Sequence, residues 1–373
     1  MIRRVGYVPE EKILPEDDSP VSSLDVWLSE DDVFRADWDV TRRRRLETIR
    51  AAFDYHIDRN ACFRDFARLR GFEVENLTEN TLGSVPLIPA GLFKRFSEGV
   101  RTGSDPAVMT TSSGTQGTVS HVPRDNVTIN RFFASVTAAT QELLDIGHSE
   151  TRVRNIGPRV DDVQHLWISY VMAGVSVLHD TDFFVHHGVF DQDSFLASLA
   201  DDRNDVPSLI VGPPALLWDL AEAIDRPLPP NKERRIVTIG GWKRREGERV
   251  DRYLFDAKVG SALGVPDALY IRDAFNMVEL NSVLIECSEK KKHCPPWVYA
   301  SARDPHTMHE LNDGAGLLGY VDPTPTSFPG AVLSEDFGWI DRDIDCPCGI
   351  RGDVVRIDRR VNRLESRGCA MKI

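Results

Sequence analysis

The sequence predicts an α/β protein with a mostly parallel sheet flanked by helices, followed by a smaller β-rich lobe. Three observations predict it. Between residues 153 and 239, short apolar runs alternate with helical stretches, the pattern of strand–helix–strand crossovers. From about Leu280 onward, strand-like runs are separated by Pro, Gly and Asp. The chain has 373 residues, 41% hydrophobic and 28% charged, which is enough for a sizeable core and more than one lobe.

Residues 1–40 are expected to form an N-terminal arm; 8–34 are acidic and Pro-containing, with a Trp and a Phe, and read as an arm packed on the surface. A helix is predicted over 42–65. Pro86 and Pro89 frame a segment running to Lys94. Asp125 is placed to cap a helix through Phe132 and Leu144. Strands are predicted at 153–156, 176–178, 208–211 and 235–239, with helices over 164–175 and 214–224. Gly212-Pro213-Pro214 and Gly240-Gly241-Trp242-Lys243 follow predicted strands, and open parallel sheets bind ligands outside the strands' carboxyl ends. The β-rich part carries predicted strands at 282–285, 297–300, 317–321 and 353–357. The expected division is an arm (1–40), an α/β core (41–280), a β-rich lobe (281–356) and a hinge-like motif with a tail (357–373).

A net charge of −13 argues against non-specific nucleic-acid binding. The basic runs 42–45 and 290–292 are short and read as solvated faces. No apolar run reaches the about 18 residues of a spanning helix, so no membrane partner is expected. Met1-Ile-Arg-Arg-Val-Gly lacks the apolar stretch of a secretory signal. A reducing cytoplasm is therefore expected. The six cysteines then read as metal ligands, reactive thiols or core residues rather than disulfides.

The richest chemistry lies in Thr110 to Gly117, with five hydroxyl side chains and two glycines. Glycines let the backbone fold close to a ligand. Successive amide N–H groups form an anion nest, and rotatable hydroxyls add donors for phosphate oxygens. No Gly-Lys-Ser/Thr follows, so this is not a Walker A loop. It reads as a triphosphate cradle; the alternative is a polar surface turn.

A second constellation is Cys287, His293-Cys294 and Cys346-Pro-Cys348. Two thiolates on a short turn converge readily on one metal, and a second cluster completes a tetrahedron. The expected zinc ligands are Cys287, His293, Cys346 and Cys348, with Cys294 the alternative to His293. A closed site of this kind pins structure rather than catalyses. The other reading is buried free cysteines beside a surface histidine.

Taken in order, these segments resemble the adenylate-forming superfamily of acyl-CoA synthetases, adenylation domains and luciferases. Thr111 to Gly117 looks like its phosphate loop. Phe275-Asn276-Met277-Val278-Glu279 resembles its aromatic-x-x-Thr-Glu motif for adenine and magnesium, with Val278 where Thr is usual. Glu335-Asp336-Phe337-Gly338 is similar to its ribose-gripping motif, and Ile357-Asp358-Arg359 to its hinge. Within the superfamily the chain resembles the acyl-protein synthetase branch, the LuxE type of bacterial bioluminescence. The residues that carry this likeness are Pro86 to Lys94, Ser112-Ser113-Gly114-Thr115, Gly240 to Lys243 and Arg367-Gly368-Cys369-Ala370-Met371-Lys372.

The resemblance implies the adenylate-forming N-terminal-type fold, without most or all of the C-terminal lid. It implies ATP-dependent activation of a small carboxylic acid to acyl-AMP and pyrophosphate, then acyl transfer to a thiol. Thr111, Ser112, Ser113, Gly114, Thr115 and Gly117 would grip phosphates. Gly241, Phe275 and Asn276 would border the nucleotide, Asp336 would accept from the ribose, and Arg359 would reach ribose or α-phosphate. Glu279 would hold Mg2+. Where the superfamily loop carries a Lys, Ser120 and His121 stand here, so Lys243 and Lys372 are the cations expected to serve adenylation. Cys369 matches the acylated cysteine of the branch, and Arg367 and Lys372 would favour its thiolate. A reductase or an acyl-carrier protein is an implied partner. Two other readings stay open: a ligase passing its acyl group to CoA, a carrier protein, an amine or a reductase without Cys369, and a degenerate homologue that only binds nucleotide.

Overall fold

In a computed structural model, the chain is described over residues 22–103, 106–113, 118–144, 146, 150–177, 179–200, 202, 206–242, 247 and 250–360, side chains of 359 and 360 excepted. It is built on two six-stranded sheets.

The first sheet runs Leu284–Ile285, Ile271–Phe275, Arg234–Ile239, Ser208–Gly212, Arg152–Asn155, Asp180–Phe183. Every pairing is parallel except the one between Leu284–Ile285 and Ile271–Phe275. Ser208–Gly212 is buried throughout, as expected for a strand covered on both faces. Helices Trp167–Ser176, Gln192–Ala200, Pro214–Ala223 and Arg252–Leu263 lie between the strands. Pro214 opens its helix where no N–H is required, and Asp251 caps the last by accepting from the N–H groups of Tyr253 and Leu254.

At 176 and 177, the described residues of the strand expected at 176–178, no strand forms; 178 lies outside the described residues. Ser176 instead ends a helix, its hydroxyl donating to the Met172 carbonyl at 3.1 Å. The edge strand is Asp180–Phe183, whose polar residues suit an exposed edge and hide it from a search for apolar runs. The helix expected over 42–65 is two, Trp38–Arg59 and Ala61–Leu69. Between them Asn60 is extended and its side chain accepts from the Phe63 N–H at 2.8 Å, starting a new helix.

The second sheet runs Lys292–His293, Arg351–Arg360, Ala331–Asp345, Gly316–Val321, Tyr299–Arg303, all antiparallel. Ile88–Pro89, from the Pro-framed segment, adds in parallel to Ala331–Asp345. That 15-residue strand escaped the sequence reading. Two register shifts, at Phe337/Gly338 and Asp341/Ile344, break the alternation that would have announced it. The strand expected at 297–300 begins two residues later, and the one at 282–285 forms as Leu284–Ile285 in the first sheet.

Residues 22–35 are not packed on the surface. Helix Ser23–Leu28, closed by a Ser22/Asp25 capping box, delivers Trp27 into the core, where it meets Trp297 edge-on at 6.0 Å; Phe34 lies 6.2 Å from the same ring. The basic runs are not simply solvated either. Arg45 is buried against Asp353 at 3.3 Å, and Lys292 is wedged between Asp273 and Glu286. One apolar core joins the sheets: Val153, Leu209 and Val237 belong to the same cluster as Leu318, Tyr320 and Val355.

Candidate active site and cysteine cluster

The hydroxyl-rich loop is the tip of a hairpin. Val108–Thr111 pairs with His121–Arg124, and the neck is closed by Ser112 and Ser120. The Ser112 N–H donates to the Ser120 carbonyl at 3.3 Å, and the Ser120 N–H donates to Ser112 Oγ at 3.1 Å. Thr111 is anchored sideways: its N–H and its hydroxyl donate to the His165 carbonyl at 2.6 and 3.1 Å. Of the expected phosphate ligands, Thr111 and Ser112 thus build the neck and Ser113 is exposed above it. Gly114, Thr115 and Gly117 lie outside the described residues.

At the base of the hairpin sits Arg124, fully buried. It donates to Thr110 Oγ1 at 2.6 Å and to the Val278 carbonyl at 2.7 Å, and its guanidinium lies 3.4 Å from the centre of the Trp167 ring. Burial draws its pKa down to about 9, while the Glu279 carboxylate acts in the opposite direction. The sequence reading passed over this residue.

Strand Ile271–Phe275 carries at its carboxyl end the segment expected to hold adenine and magnesium. Glu279 is only 3% exposed. Asn276 is committed inside the protein: its Oδ1 accepts from Trp167 Nε1 at 2.6 Å, and its Nδ2 donates to the carbonyls of Leu280 and Ser282 at 3.0 and 2.9 Å. It holds the turn carrying Glu279. Gly240, at φ 86°, turns the chain after the neighbouring strand and leaves Gly241 exposed. Lys243 lies outside the described residues.

The segments expected to serve as ribose and hinge motifs share one hairpin. Phe337 pairs with Arg359 and Asp336 with Arg360, bringing residues over twenty positions apart into adjacent strands. Gly338 is required there, because a Cβ would strike the Arg356 carbonyl. Lys94 clasps both oxygens of Glu335 at 2.9 Å, tying the Pro-framed segment to this hairpin. Phe275 lies 6.2 Å from Tyr320 on the second sheet. Burial, with the negative charge of Asp336 adding to it, holds the Tyr320 phenol well above its ordinary pKa. Tyr320 is thus packed near Phe275 and lies within reach of the charge of Asp336. Cys369 and Lys372 lie outside the described residues.

The four expected metal ligands come together. The ligand atoms of Cys287, His293, Cys346 and Cys348 lie within 4.8 Å of one another. Cys287 and Cys346 sulfurs are 3.9 Å apart, and Cys348 Sγ is 3.4 Å from His293 Nε2. A tetrahedral zinc with about 2.3 Å bonds to sulfur and about 2.0 Å to nitrogen would set edges of about 3.8 and about 3.5 Å, so the cluster fits that ion. Hydrogen bonding from Cys348 and His293 pulls the Cys287 thiol down to about 3. Two tight turns position the sulfurs. Cys346-Pro-Cys348-Gly349 joins the long strands, with Gly349 at φ 86°. Cys287 closes a turn through Lys290 and Lys291. Cys294 points elsewhere, donating to the Val298 carbonyl at 3.4 Å, and burial pushes its thiol up to about 12.

Over residues 15–373 the chain matches the family described as acyl-protein synthetase, LuxE. The chain belongs to that family. It is 30% identical over 344 residues to a long-chain-fatty-acid–luciferin-component ligase of Aliivibrio fischeri, covering 90% of each chain. The corresponding ligase of Vibrio harveyi is 29% identical over 344 residues, covering 90% of this chain and 89% of its own. Among solved structures, a 2-hydroxyisobutyryl-CoA ligase in its postadenylation state superposes with a TM-score of 0.63 at 16% identity, over 86% of this chain and 67% of that one. That likeness carries the adenylate-forming fold. This acyl-protein synthetase is an ATP-dependent ligase that forms an acyl adenylate and then transfers the acyl group. Among the described residues no helix is long and apolar enough to cross a membrane.

Proposed function

We propose that this acyl-protein synthetase activates a long-chain fatty acid and passes the acyl group to its own Cys369 before a partner reductase or carrier protein receives it, in a reducing cytoplasm. The observation that supports this most is that Phe275, at the end of a first-sheet strand, lies 6.2 Å from Tyr320 of the second sheet, whose phenol also feels the charge of Asp336. Names of both relatives support the substrate class.

In this reading the loop from Thr111 through Ser113, Gly114, Thr115 and Gly117 holds the β and γ phosphates. Phe275 and Gly241 flank the adenine. Asp336 accepts from the ribose hydroxyls, and Arg359 from the adjacent strand donates its planar fork to ribose or α-phosphate. Two anions must meet for the carboxylate to attack phosphorus, so donors fixed in advance lower the barrier most. Glu279, a nearly buried hard oxygen donor, suits Mg2+, which supplies charge neutralisation when bound with the substrate phosphates. Lys243 or Lys372 supplies the remaining cation. Attack of the Cys369 thiolate on the acyl carbonyl expels AMP and leaves a thioester. Zn2+ held by Cys287, His293, Cys346 and Cys348 would be structural.

The test is ATP–pyrophosphate exchange across fatty and aromatic acids, followed by acyl capture in Cys369→Ser. Exchange with long-chain acids, and normal exchange but no protein-bound acyl group in the variant, is expected. Exchange confined to aromatic acids would overturn the substrate class. Retained acylation in the variant would overturn Cys369. Nucleotide binding without exchange for any acid would leave a degenerate homologue.

A further inference from the structure

We propose that Arg124 is a positioning residue that locks the hairpin at 108–124 and the Glu279 turn into one register. This rests on the adenylating reading above.

Three segments far apart in sequence must agree in position for that reading to work: the hairpin at 108–124, the helix start at 165–167 and the turn at 275–282. Arg124 touches all three. One arm of its fork reaches Thr110 Oγ1, whose own hydroxyl donates to the Val122 carbonyl across the hairpin. The other arm reaches the carbonyl of Val278, the residue before Glu279. The guanidinium plane rests on Trp167, and the Trp167 indole N–H holds Asn276 in that same turn. A lysine, with one point charge, cannot span Thr110 and Val278 with this planar geometry.

The charge itself needs an explanation. A fully buried guanidinium is costly, and a neutral side chain of similar volume could join strand and turn without that cost. Among the described residues the hydrogen bonds of Arg124 go to neutral oxygens, and its Nε finds no partner. Among the acidic groups whose charge reaches Arg124, the Glu279 carboxylate is the strongest. On the return strand, Ser120, Val122 and Arg124 are buried. The guanidinium of Arg124 therefore faces inward, against Trp167. Arg124 and the Glu279 carboxylate offset each other's charge, so the pair ties the hairpin to the turn that carries Glu279.

The experiment compares wild type, Arg124→Lys and Arg124→Met by thermal unfolding, by the unfolding shift that Mg2+–ATP produces across a Mg2+ titration, and by ATP–pyrophosphate exchange. Arg124→Lys is expected to fold, to lose exchange by about 100-fold, and to need about tenfold more Mg2+ for half of the ATP-induced shift, with the KM for the acid unchanged. Arg124→Met is expected to be worse on both readouts. A folded Arg124→Lys or Arg124→Met with wild-type Mg2+ dependence and wild-type exchange would overturn the proposal. So would a loss matched by partial unfolding alone. If neither variant folds, Thr110→Val removes one arm of the clamp; it should show the same shift in Mg2+ requirement at smaller size, and unchanged values would overturn the proposal. If wild type exchanges with no acid, the adenylating reading fails, while the Mg2+ dependence of ATP binding still judges Arg124.

Discussion

The hydroxyl-rich hairpin and the cysteine cluster are both small polar constellations, but they are held in opposite ways. The cluster contains its own positioning device: two tight turns aim four ligand atoms at one point, and a single ion would join them. The hairpin does not. Its neck is closed by Ser112 and Ser120, but its placement depends on the His165 carbonyl, on Arg124 and, through Trp167, on Asn276. A binding motif is thus legible alone only when ligand and support are the same residues.

The sharpest test of that contrast is removal of metal. Chelation, or Cys346→Ser, should lower the unfolding temperature steeply, since such a site contributes on the order of 10 kcal/mol in small zinc domains. In the fraction still folded the ATP affinity should be unchanged; calorimetry with added nucleotide reads both. Next, Glu279→Gln should lower ATP–pyrophosphate exchange by about 10²–10³-fold, as loss of one charge-stabilising group does at other sites, with little change in nucleotide binding at saturating Mg2+. Trp167→Phe removes the bond to Asn276 while keeping a ring beneath Arg124. It should cost about 1–2 kcal/mol of stability and weaken exchange several-fold, visible in denaturant unfolding alongside steady-state rates. The smallest effect is expected from Arg351→Ala, near the cysteine turn but exposed and paired with Asp343 at 2.7 Å; less than about 1 kcal/mol should be lost. A large loss there would mean that the turn relies on outside support after all.

The same distinction separates what the sequence revealed from what it hid. Strands 208–212 and 234–239 were readable because burial on both faces demands continuous apolar runs. Edge strand Asp180–Phe183 was not, since its polar residues serve an exposed border. The cysteine ligands were visible through residue type and spacing. Arg124 was invisible because a strand arginine normally faces water, and only the fold shows that it lies over Trp167. Trp27 was masked by its acidic surroundings, although Ser22 and Asp25 form a readable capping box. Asn276 looked like a ligand for nucleotide, and its three hydrogen bonds instead serve the turn behind Glu279.

The core shared by the two sheets has a consequence for how this enzyme can be taken apart. Val237 and Leu209 pack in the same apolar mass as Tyr320 and Val355, with Trp27 closing it from the other end of the chain. A cut near residue 280 would leave each fragment with a raw hydrophobic wall. Expressed separately, the pieces should therefore be recovered as a reassembled pair or lost to aggregation, and split-protein reporters built on this fold would report association rather than two independent modules.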